Sequence, residues 1–253
     1  MNSFGLSQCK NKVNTILQTL KLAECYIANL VQTSVNWRFL HLRNRLRLAL
    51  QKTFPKHRVN IARNKFRSEQ PALPGGCAQI VTGDWSGRII EFIHDFRNMG
   101  RCFGVKLRLR GERHLYLVTS YRVCQQSRAH IGPETVCRQQ ELLQALDGFV
   151  NPDPRKQFII DLTQCIKQWQ SDNDDIMITM DVNEQIGDYH KGLTSMMREC
   201  RLIDIFHHHH GYYPNFETFD IGSKRIDYII GRASLLPFTK HSGYLAFLSW
   251  HSI

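Results

Sequence analysis

The sequence predicts a mixed α/β fold of the α+β kind in one domain, and three observations support this prediction. Segments with helical and with strand-like hydrophobic spacing alternate along the 253 residues. Two strand-like segments, 102–109 and 114–120, are separated only by Gly111-Glu112-Arg113, which is typical of a hairpin turn. A hairpin within an interleaved pattern argues against a purely parallel sheet, so a mixed sandwich is expected.

The amino-terminal part is predicted to contain two helices with a strand between them. Apolar residues at helical spacing predict the first helix over 10–22 and the second over 38–53, where Pro55 ends it. The short apolar run from Cys25 to Val31 predicts the strand. The second helix has a basic outer face, and a solvated surface helix and a phosphate-contacting helix are equally good interpretations of it.

The remaining elements follow after a turn at 71–76. Further strands are predicted over 77–82, 176–180 and 225–230 in addition to the hairpin, and further helices over about 134–149, 155–170 and 189–201.

The charge of the chain favours a polyanionic partner. The formal net charge is +11, and no acidic residue lies between Glu24 and Glu69. Lys and Arg side chains placed on phosphates release counterions, which makes nucleic acid a reasonable partner. A basic protein without such a role fits the charge equally well.

The cysteines and the apolar segments indicate an intracellular protein, nuclear or cytoplasmic, that is not secreted. Eight cysteines are scattered singly without a C-x-x-C pair, which excludes zinc-ribbon spacing and favours free thiols in a reducing compartment. No segment approaches the length of a membrane span, and the first residues do not resemble a signal peptide. No membrane partner is therefore expected.

Three strand ends carry polar residues that could do chemistry. Asp181 and Asn183 follow a buried strand, where they could orient a water or simply close an Asx turn. Asp227 lies in an apolar strand, so it needs a partner, which could be Arg225, a backbone amide or a histidine held in one tautomer. Tyr121 ends a third strand, as a phosphate contact or as a structural residue.

Taken in order, these motifs resemble the endonuclease/exonuclease/phosphatase superfamily over nearly the whole chain. Its Gly-Asp-x-Asn, Arg-Ile-Asp-Tyr-Ile and Ser-Asp-His motifs are similar to 181–183, 225–229 and 249–251, and Thr218 precedes the second at the usual gap. Upstream, Asn2-Ser3-Phe4-Gly5 and Leu30-Val31-Gln32-Thr33 are similar to its Asn-x-x-Gly and Leu-Gln-Glu-Thr motifs. The stretches 74–76 and 85–88 further resemble endonuclease domains that accompany reverse transcriptases of mobile elements.

The resemblance implies two packed mixed sheets flanked by helices, and hydrolysis of a phosphate ester with Mg²⁺ or Mn²⁺. DNA is the implied substrate, and a reverse transcriptase encoded by the same element is an implied partner. Asp181 would be the general base and Asn183 would hold the nucleophile or phosphate. Tyr121 would contact the phosphate, and Asp227 would orient His251, which would stabilise developing charge. The candidate nucleic-acid contacts are Arg43, Arg45, Arg47 and Arg122.

Two expected carboxylates are replaced at the implied metal site. Asn2 keeps the family residue, but Gln32 stands where the family has Glu, and Trp250 stands where it has Asp. Each lost carboxylate could cost on the order of a hundredfold in rate. An impaired nuclease and a catalytically degenerate nucleic-acid-binding domain therefore both stay open, as does a lipid or inositol phosphatase.

Two further expectations concern the ends of the chain and a histidine run. The single domain, 1–253, is expected to lack an edge strand at each end. His207 to His210 could bind a metal, but a solvated loop is the favoured interpretation because adjacent residues cannot all face one site.

Overall fold

Two β-sheets pack face to face between layers of helices. The computed structural model describes residues 10–62, 76–125, 135–148, 150–211, 217–218 and 224–243. The α-helices of these residues are α1 (Lys10–Leu22), α2 (Leu40–Thr53), α3 (Val136–Asp147), α4 (Pro154–Ser171), α5 (Leu193–Glu199) and α6 (Ile205–His210). The strands are β1 (Ile27–Leu30), β2 (His57–Ile61), β3 (Ala78–Thr82), β4 (Ile89–His94), β5 (Cys102–Arg108), β6 (His114–Tyr121), β7 (Asp175–Asp181), β8 (Leu202–Asp204) and β9 (Asp227–Arg232). Two 3₁₀ helices, Gly83–Arg88 and Ala233–Phe238, follow β3 and β9.

The two sheets differ in size and in strand direction. The small sheet has the order β1-β3-β2 and is antiparallel. The large sheet has the order β4-β5-β6-β7-β9-β8, and β6 and β7 are its parallel pair. The predicted mixed sandwich flanked by helices is therefore confirmed.

The hydrophobic core lies in three layers. Helices α1 and α2 cover the outer face of the small sheet, where Leu17 and Leu50 pack against Ile80. Helices α4 and α5 cover the outer face of the large sheet. The inner faces of the two sheets bury a third layer, which includes Phe103 and Val105. Because successive side chains of a strand point to opposite faces, β6 and β7 contribute residues both to the inner layer and to the layer beneath α4 and α5.

Local sequence signals set the ends of the longer helices. The Asp153 carboxylate accepts hydrogen bonds from the backbone N–H groups of Arg155 and Lys156, and Pro154 occupies the first turn of α4. Thr135 caps α3, which ends at Gly148 with a positive φ of 67°. These ends fall within two residues of those that the sequence predicts.

Five segments differ from the sequence prediction. The predicted loop over His207 to His210 is wrong, because the Asp204 carboxylate caps a short helix there by accepting from the His207 backbone N–H at 3.2 Å. The helix predicted over 189–201 is limited to α5. Strands β2, β4 and β8 were not predicted; β8 has three residues, and a register shift between Ile89 and Glu91 breaks the alternation of β4.

The three remaining expectations concern the cysteines, membrane-spanning helices and edge strands. The described cysteines are free thiols, as predicted. Within the described ranges, no helix combines the length and the hydrophobicity needed to cross a bilayer. The expected loss of edge strands concerns residues outside those ranges.

Candidate active site

Three polar residues meet at one end of the central strands of the large sheet, because these strands are neighbours in register. Tyr121 ends β6, Asp181 ends β7 and Asp227 begins the antiparallel β9. The pairing is Tyr121 with Asp181 and Asp181 with Asp227. Alternation along each strand places these side chains on the inner face, toward the small sheet. The ordered motifs of the sequence therefore converge, with Asp181 at the centre.

Gln32 joins this group from the small sheet. It follows β1 in a loop where it adopts a left-handed φ of 50°. The Gln32 Nε2 donates a hydrogen bond to the Tyr121 hydroxyl oxygen. Thr33 anchors the loop, since its backbone N–H and its hydroxyl both donate to the Gly76 carbonyl oxygen, at 2.8 and 3.0 Å. The amide that replaces the expected carboxylate is thus held directly over Tyr121.

Gly76 is required for this anchoring. Its φ is +82°, and a Cβ at this position would lie 2.6 Å from the Val35 carbonyl oxygen. Any side chain would therefore push the Gln32 loop away from the Gly76 strand end.

Asn183 is fixed by two hydrogen bonds. Its backbone N–H donates to the Asp181 carboxylate at 3.2 Å, and its side-chain Nδ2 donates to the Arg122 carbonyl oxygen at 2.8 Å. Its φ of 49° is a left-handed value, which Asn tolerates better than most residues. The Asx turn that the sequence allowed is present, and it also orients the side chain of a candidate catalytic residue.

A buried ion-pair network supports the turn from behind. Glu184, which is 8% exposed, pairs with Arg122 and accepts a hydrogen bond from the Leu193 backbone N–H at 2.8 Å. Arg155 of α4 donates to the carbonyl oxygens of Val123 and Asn183. The network was not predicted from the sequence. The signal was available, because Arg122 and Glu184 carry opposite charges just beyond two strand ends.

The sequence offered Arg225, a backbone amide or a histidine as the partner of Asp227. Both guanidinium NH₂ groups of Arg225 donate to Asp204, at 2.7 and 2.9 Å. Thr218 is close instead, and its hydroxyl oxygen accepts the backbone N–H of Asp227 at 3.1 Å. Burial raises the pKa of Asp227, and the Thr218 hydrogen bond and the Arg225 charge offset this only in part. The side chain is poised to take up a proton more easily than an ordinary aspartate.

A polar layer lies directly beneath the site, between the two sheets. Asn29 Nδ2 donates to the Thr179 hydroxyl at 2.8 Å, and Gln79 Nε2 donates to Asn29 Oδ1 at 2.9 Å. Thr179 also contacts Thr119 at 3.4 Å. Thr119 and Thr179 are two residues before Tyr121 and Asp181, on the same face of their strands. The hydrogen bond from Asn29 to Thr179 joins the two sheets one layer below the candidate site, and the other two lie within one sheet each.

Several predicted site residues are not among the side chains that meet at this site. Asn2, Trp250 and His251 lie outside the described residues, so their roles stay predictions. On α2, Arg47 is exposed, whereas Arg43 and Arg45 are partly buried. One guanidinium nitrogen of Arg45 lies against the apolar packing of α1 and α2.

Arg122 does not match its predicted role as a surface contact. Its side chain is 3% exposed and is paired with Glu184. A phosphate could reach this guanidinium only by breaking a buried ion pair.

The described side chains form a poor set of ligands for Mg²⁺. Nowhere in the described part of the chain do three His, Cys, Asp or Glu side chains converge, and this includes the histidines of α6. At the site, Asp181 offers a carboxylate and Gln32 an amide, whereas Mg²⁺ favours carboxylate oxygens together with water.

The comparisons with known proteins concern the fold. No family model and no curated protein matches the sequence. Solved structures match over most of the chain. An AP endonuclease from Leishmania major has a TM-score of 0.65 at 13% identity, over 94% of this chain and 79% of that chain. An endonuclease/exonuclease/phosphatase family protein from Bacteroides thetaiotaomicron has 0.54 at 14%, over 88% and 74%. D. rerio TDP2 in complex with a single-strand DNA product has 0.51 at 14%, over 91% and 81%.

The fold is that of the endonuclease/exonuclease/phosphatase proteins. At 13–14% identity the likeness concerns the fold alone.

Proposed function

We propose that this chain is an endonuclease that hydrolyses phosphodiester bonds in DNA. The observation that carries the proposal is the register that brings Tyr121, Asp181 and Asp227 side by side at one sheet edge. Structures with the same fold include an AP endonuclease and a TDP2 bound to a DNA product. The net charge of +11 suits a phosphate polymer.

The side chains of the site have complementary tasks in this proposal. Asp181 accepts the proton of the attacking water, and the Asn183 N–H holds the carboxylate in place. Tyr121 donates its hydroxyl proton to a phosphate oxygen, while its oxygen accepts from Gln32. Asp227 holds a histidine, for which His251 is the sequence candidate.

The metal requirement is part of the proposal, as Mg²⁺ or Mn²⁺. When bound, such an ion neutralises charge on the phosphate and the leaving oxygen. The ion would be held by Gln32 and by the sequence candidate Asn2. Its affinity would be low, because an amide and Trp250 stand at the two positions where carboxylates are expected.

We also propose that the chain is associated with a mobile element. A reverse transcriptase encoded by the same element is the proposed partner, and the proposed place of action is the cell interior, nucleus or cytoplasm. The seven free cysteines of the described residues support a reducing compartment.

The first test is nicking of supercoiled plasmid by the purified chain in Mg²⁺. Cleavage should be abolished by EDTA and by Asp181→Ala. Asp84→Ala is the matched control, because Asp84 is exposed and its ion-pair partner among the described residues is the exposed Lys56. This variant should cleave normally. Cleavage that survives Asp181→Ala would exclude the proposed base. Hydrolysis of an inositol phosphate but not of DNA would favour the phosphatase alternative.

A degenerate nucleic-acid-binding domain is the second candidate function, and Gln32 favours it. Gln32 supplies a neutral amide where the resemblance implies a metal-binding carboxylate, and its nitrogen is turned toward Tyr121. Such a domain would bind DNA without cleaving it.

Gln32→Glu is the experiment that separates the two candidates. The added carboxylate should raise the affinity for Mg²⁺, because hard cations prefer charged oxygen ligands. Thermal unfolding with increasing Mg²⁺ measures this directly, and at about 100 times the Kd the variant should gain about 2.7 kcal/mol of stability. Increased nicking together with Mg²⁺ stabilisation would indicate an impaired enzyme. Stabilisation without nicking would indicate that further parts of the site are lost.

A further inference from the structure

An arginine-lined cleft lies at the end of the large sheet opposite the candidate active site. It has a volume of about 350 Å³ and is lined by the end of the first 3₁₀ helix, the start of β4 and the end of β5. Its lining residues are Gly87, Arg88, Ile89, Ile90, Arg108, Leu109 and Arg110. None of them is acidic, which makes the cleft strongly cationic.

The position of the cleft follows from strand register. Arg108 pairs with His114 at the start of β6, whereas Tyr121 is at the end of the same strand. At about 3.3 Å per residue, the two ends of β6 are about 23 Å apart. A ligand in the cleft is therefore separate from one held by Tyr121 and Asp181.

The three arginines are available to a ligand. All three side chains are exposed, and none forms an ion pair with another described residue. The acidic residues near the cleft do not line it. Asp84 pairs with Lys56, and neither Glu91 nor Glu112 is among the lining residues. Three guanidinium groups around one concavity repel each other, and an anionic ligand would relieve that repulsion.

Arg88 adds a flat surface for stacking. Its guanidinium carbon lies 5.0 Å from the centre of the Trp85 ring, within cation–π distance. A guanidinium plane that rests on an indole ring can stack on a nucleobase. Each neighbouring arginine can bind a phosphate with two parallel hydrogen bonds. Exposed Ile90 gives the cleft an apolar rim.

We propose that this cleft binds single-stranded nucleic acid, with Arg108 and Arg110 on phosphates and the Arg88–Trp85 pair under a base. A stacking platform needs an unpaired base, which a duplex does not offer, so a single strand fits better than a duplex. The site is independent of catalysis at Asp181 and goes beyond the proposed endonuclease function.

Fluorescence anisotropy tests the proposal with the full chain and a labelled oligothymidylate of about 15 nucleotides, which is within the usual site size for single-strand binders. EDTA is present, so that a failure of the proposed nuclease activity does not affect the result. The variant is Arg88→Gln, Arg108→Gln and Arg110→Gln combined. The matched control combines Lys21→Gln, Arg198→Gln and Lys240→Gln, which removes the same charge from exposed positions elsewhere.

The cleft variant should bind about tenfold or more weakly than the control, and the slope of log affinity against log salt should fall by about 1.4, for the two phosphate contacts of Arg108 and Arg110. The corresponding Arg→Lys triple variant should keep most of the slope but lose affinity, because lysine cannot stack. Equal losses in the cleft variant and the control would overturn the proposal. Competition by polyglutamate as effective as by oligothymidylate would overturn the nucleic-acid assignment in favour of an acidic peptide.

Discussion

At the scale of single residues, Asp227 has an unusual protonation equilibrium. Burial raises the pKa of its carboxyl above the value of about 3.8 for an unfolded chain. The protonated form is therefore favoured by folding. The stability that this contributes is fully present below the unfolded pKa and is lost as pH rises through the folded pKa.

Asp227→Asn should accordingly stabilise the protein near neutral pH. Asparagine has the same shape and no charge to bury, and its oxygen can still accept a hydrogen bond from Thr218. The gain in the free energy of unfolding should shrink as pH falls through the raised folded pKa of Asp227 toward the unfolded value of about 3.8, because Asp227 is then protonated in both states. Urea unfolding between about pH 4.5 and 7.5 measures it. Asp84→Asn is the control at an exposed carboxylate, and a gain for Asp227→Asn that does not change with pH would contradict the assignment.

Candidate site residues were predictable one by one, but not all of their partners were. Strand ends followed by polar residues identified Tyr121, Asp181 and Asp227. The contact between Gln32 and Tyr121 crosses two sheets, and no local pattern encodes the distance between sheets. The pairing of Arg225 with Asp204 was missed for the same reason, since β8 has only three residues.

At the scale of elements, the connection from β7 to α5 depends on one buried charge. Glu184 binds the guanidinium of Arg122 and the first backbone N–H of α5, and a Cβ at Gly192 would collide with its carboxylate. The catalytic candidate Asn183 lies directly before it. The geometry of Asn183 thus follows from a residue that takes no part in the proposed chemistry.

Glu184→Gln should destabilise the protein by about 3–5 kcal/mol, because it leaves the buried Arg122 without a counter-charge. Replacing both residues together, as Arg122→Met with Glu184→Met, should cost less than the separate losses combined, since an apolar pair needs no counter-charge. Urea unfolding of Arg122→Met, Glu184→Met and the double variant gives the coupling energy. Additive losses would mean that the two side chains act independently.

The elements that the sequence predicted well are those with a strong local period. Helix α4 has both an apolar face and a cap, and the β5–β6 hairpin has alternation on each side of a glycine turn. Strand β4 was missed because its bulge interrupts the alternation. Helix α6 was missed because four histidines carry no apolar pattern, and its stability comes from the Asp204 cap.

At the scale of the whole molecule, the site depends on how the two sheets are aligned. Gln32 lies in the loop that follows β1 of the small sheet, whereas Tyr121, Asp181 and Asp227 lie on the large sheet. Directly below them, the hydrogen bond from Asn29 to Thr179 connects the two sheets, and Gln79 of the small sheet donates to Asn29. A purely apolar layer would hold the sheets together without fixing their offset.

Asn29→Leu should therefore cost about 1–3 kcal/mol, because it removes the hydrogen bonds of Asn29 to buried Gln79 and to partly buried Thr179. The double variant Asn29→Leu with Gln79→Leu should recover part of this loss by removing a second polar group. Urea unfolding measures stability, and DNA binding by anisotropy reports on the site. Full stability in Asn29→Leu would show that the polar layer does not align the sheets.

The parallel pairing of β6 and β7 has a consequence for folding kinetics. Tyr121 and Asp181 are adjacent in the sheet but lie 60 residues apart in the chain. Pairs of such sequence separation close large loops, and their entropy cost is met before the contacts form. The hairpin of β5 and β6 needs no such closure and should form early. We therefore expect the pairing that brings Tyr121 next to Asp181 to be among the last contacts to form, after the β5–β6 hairpin is already in place.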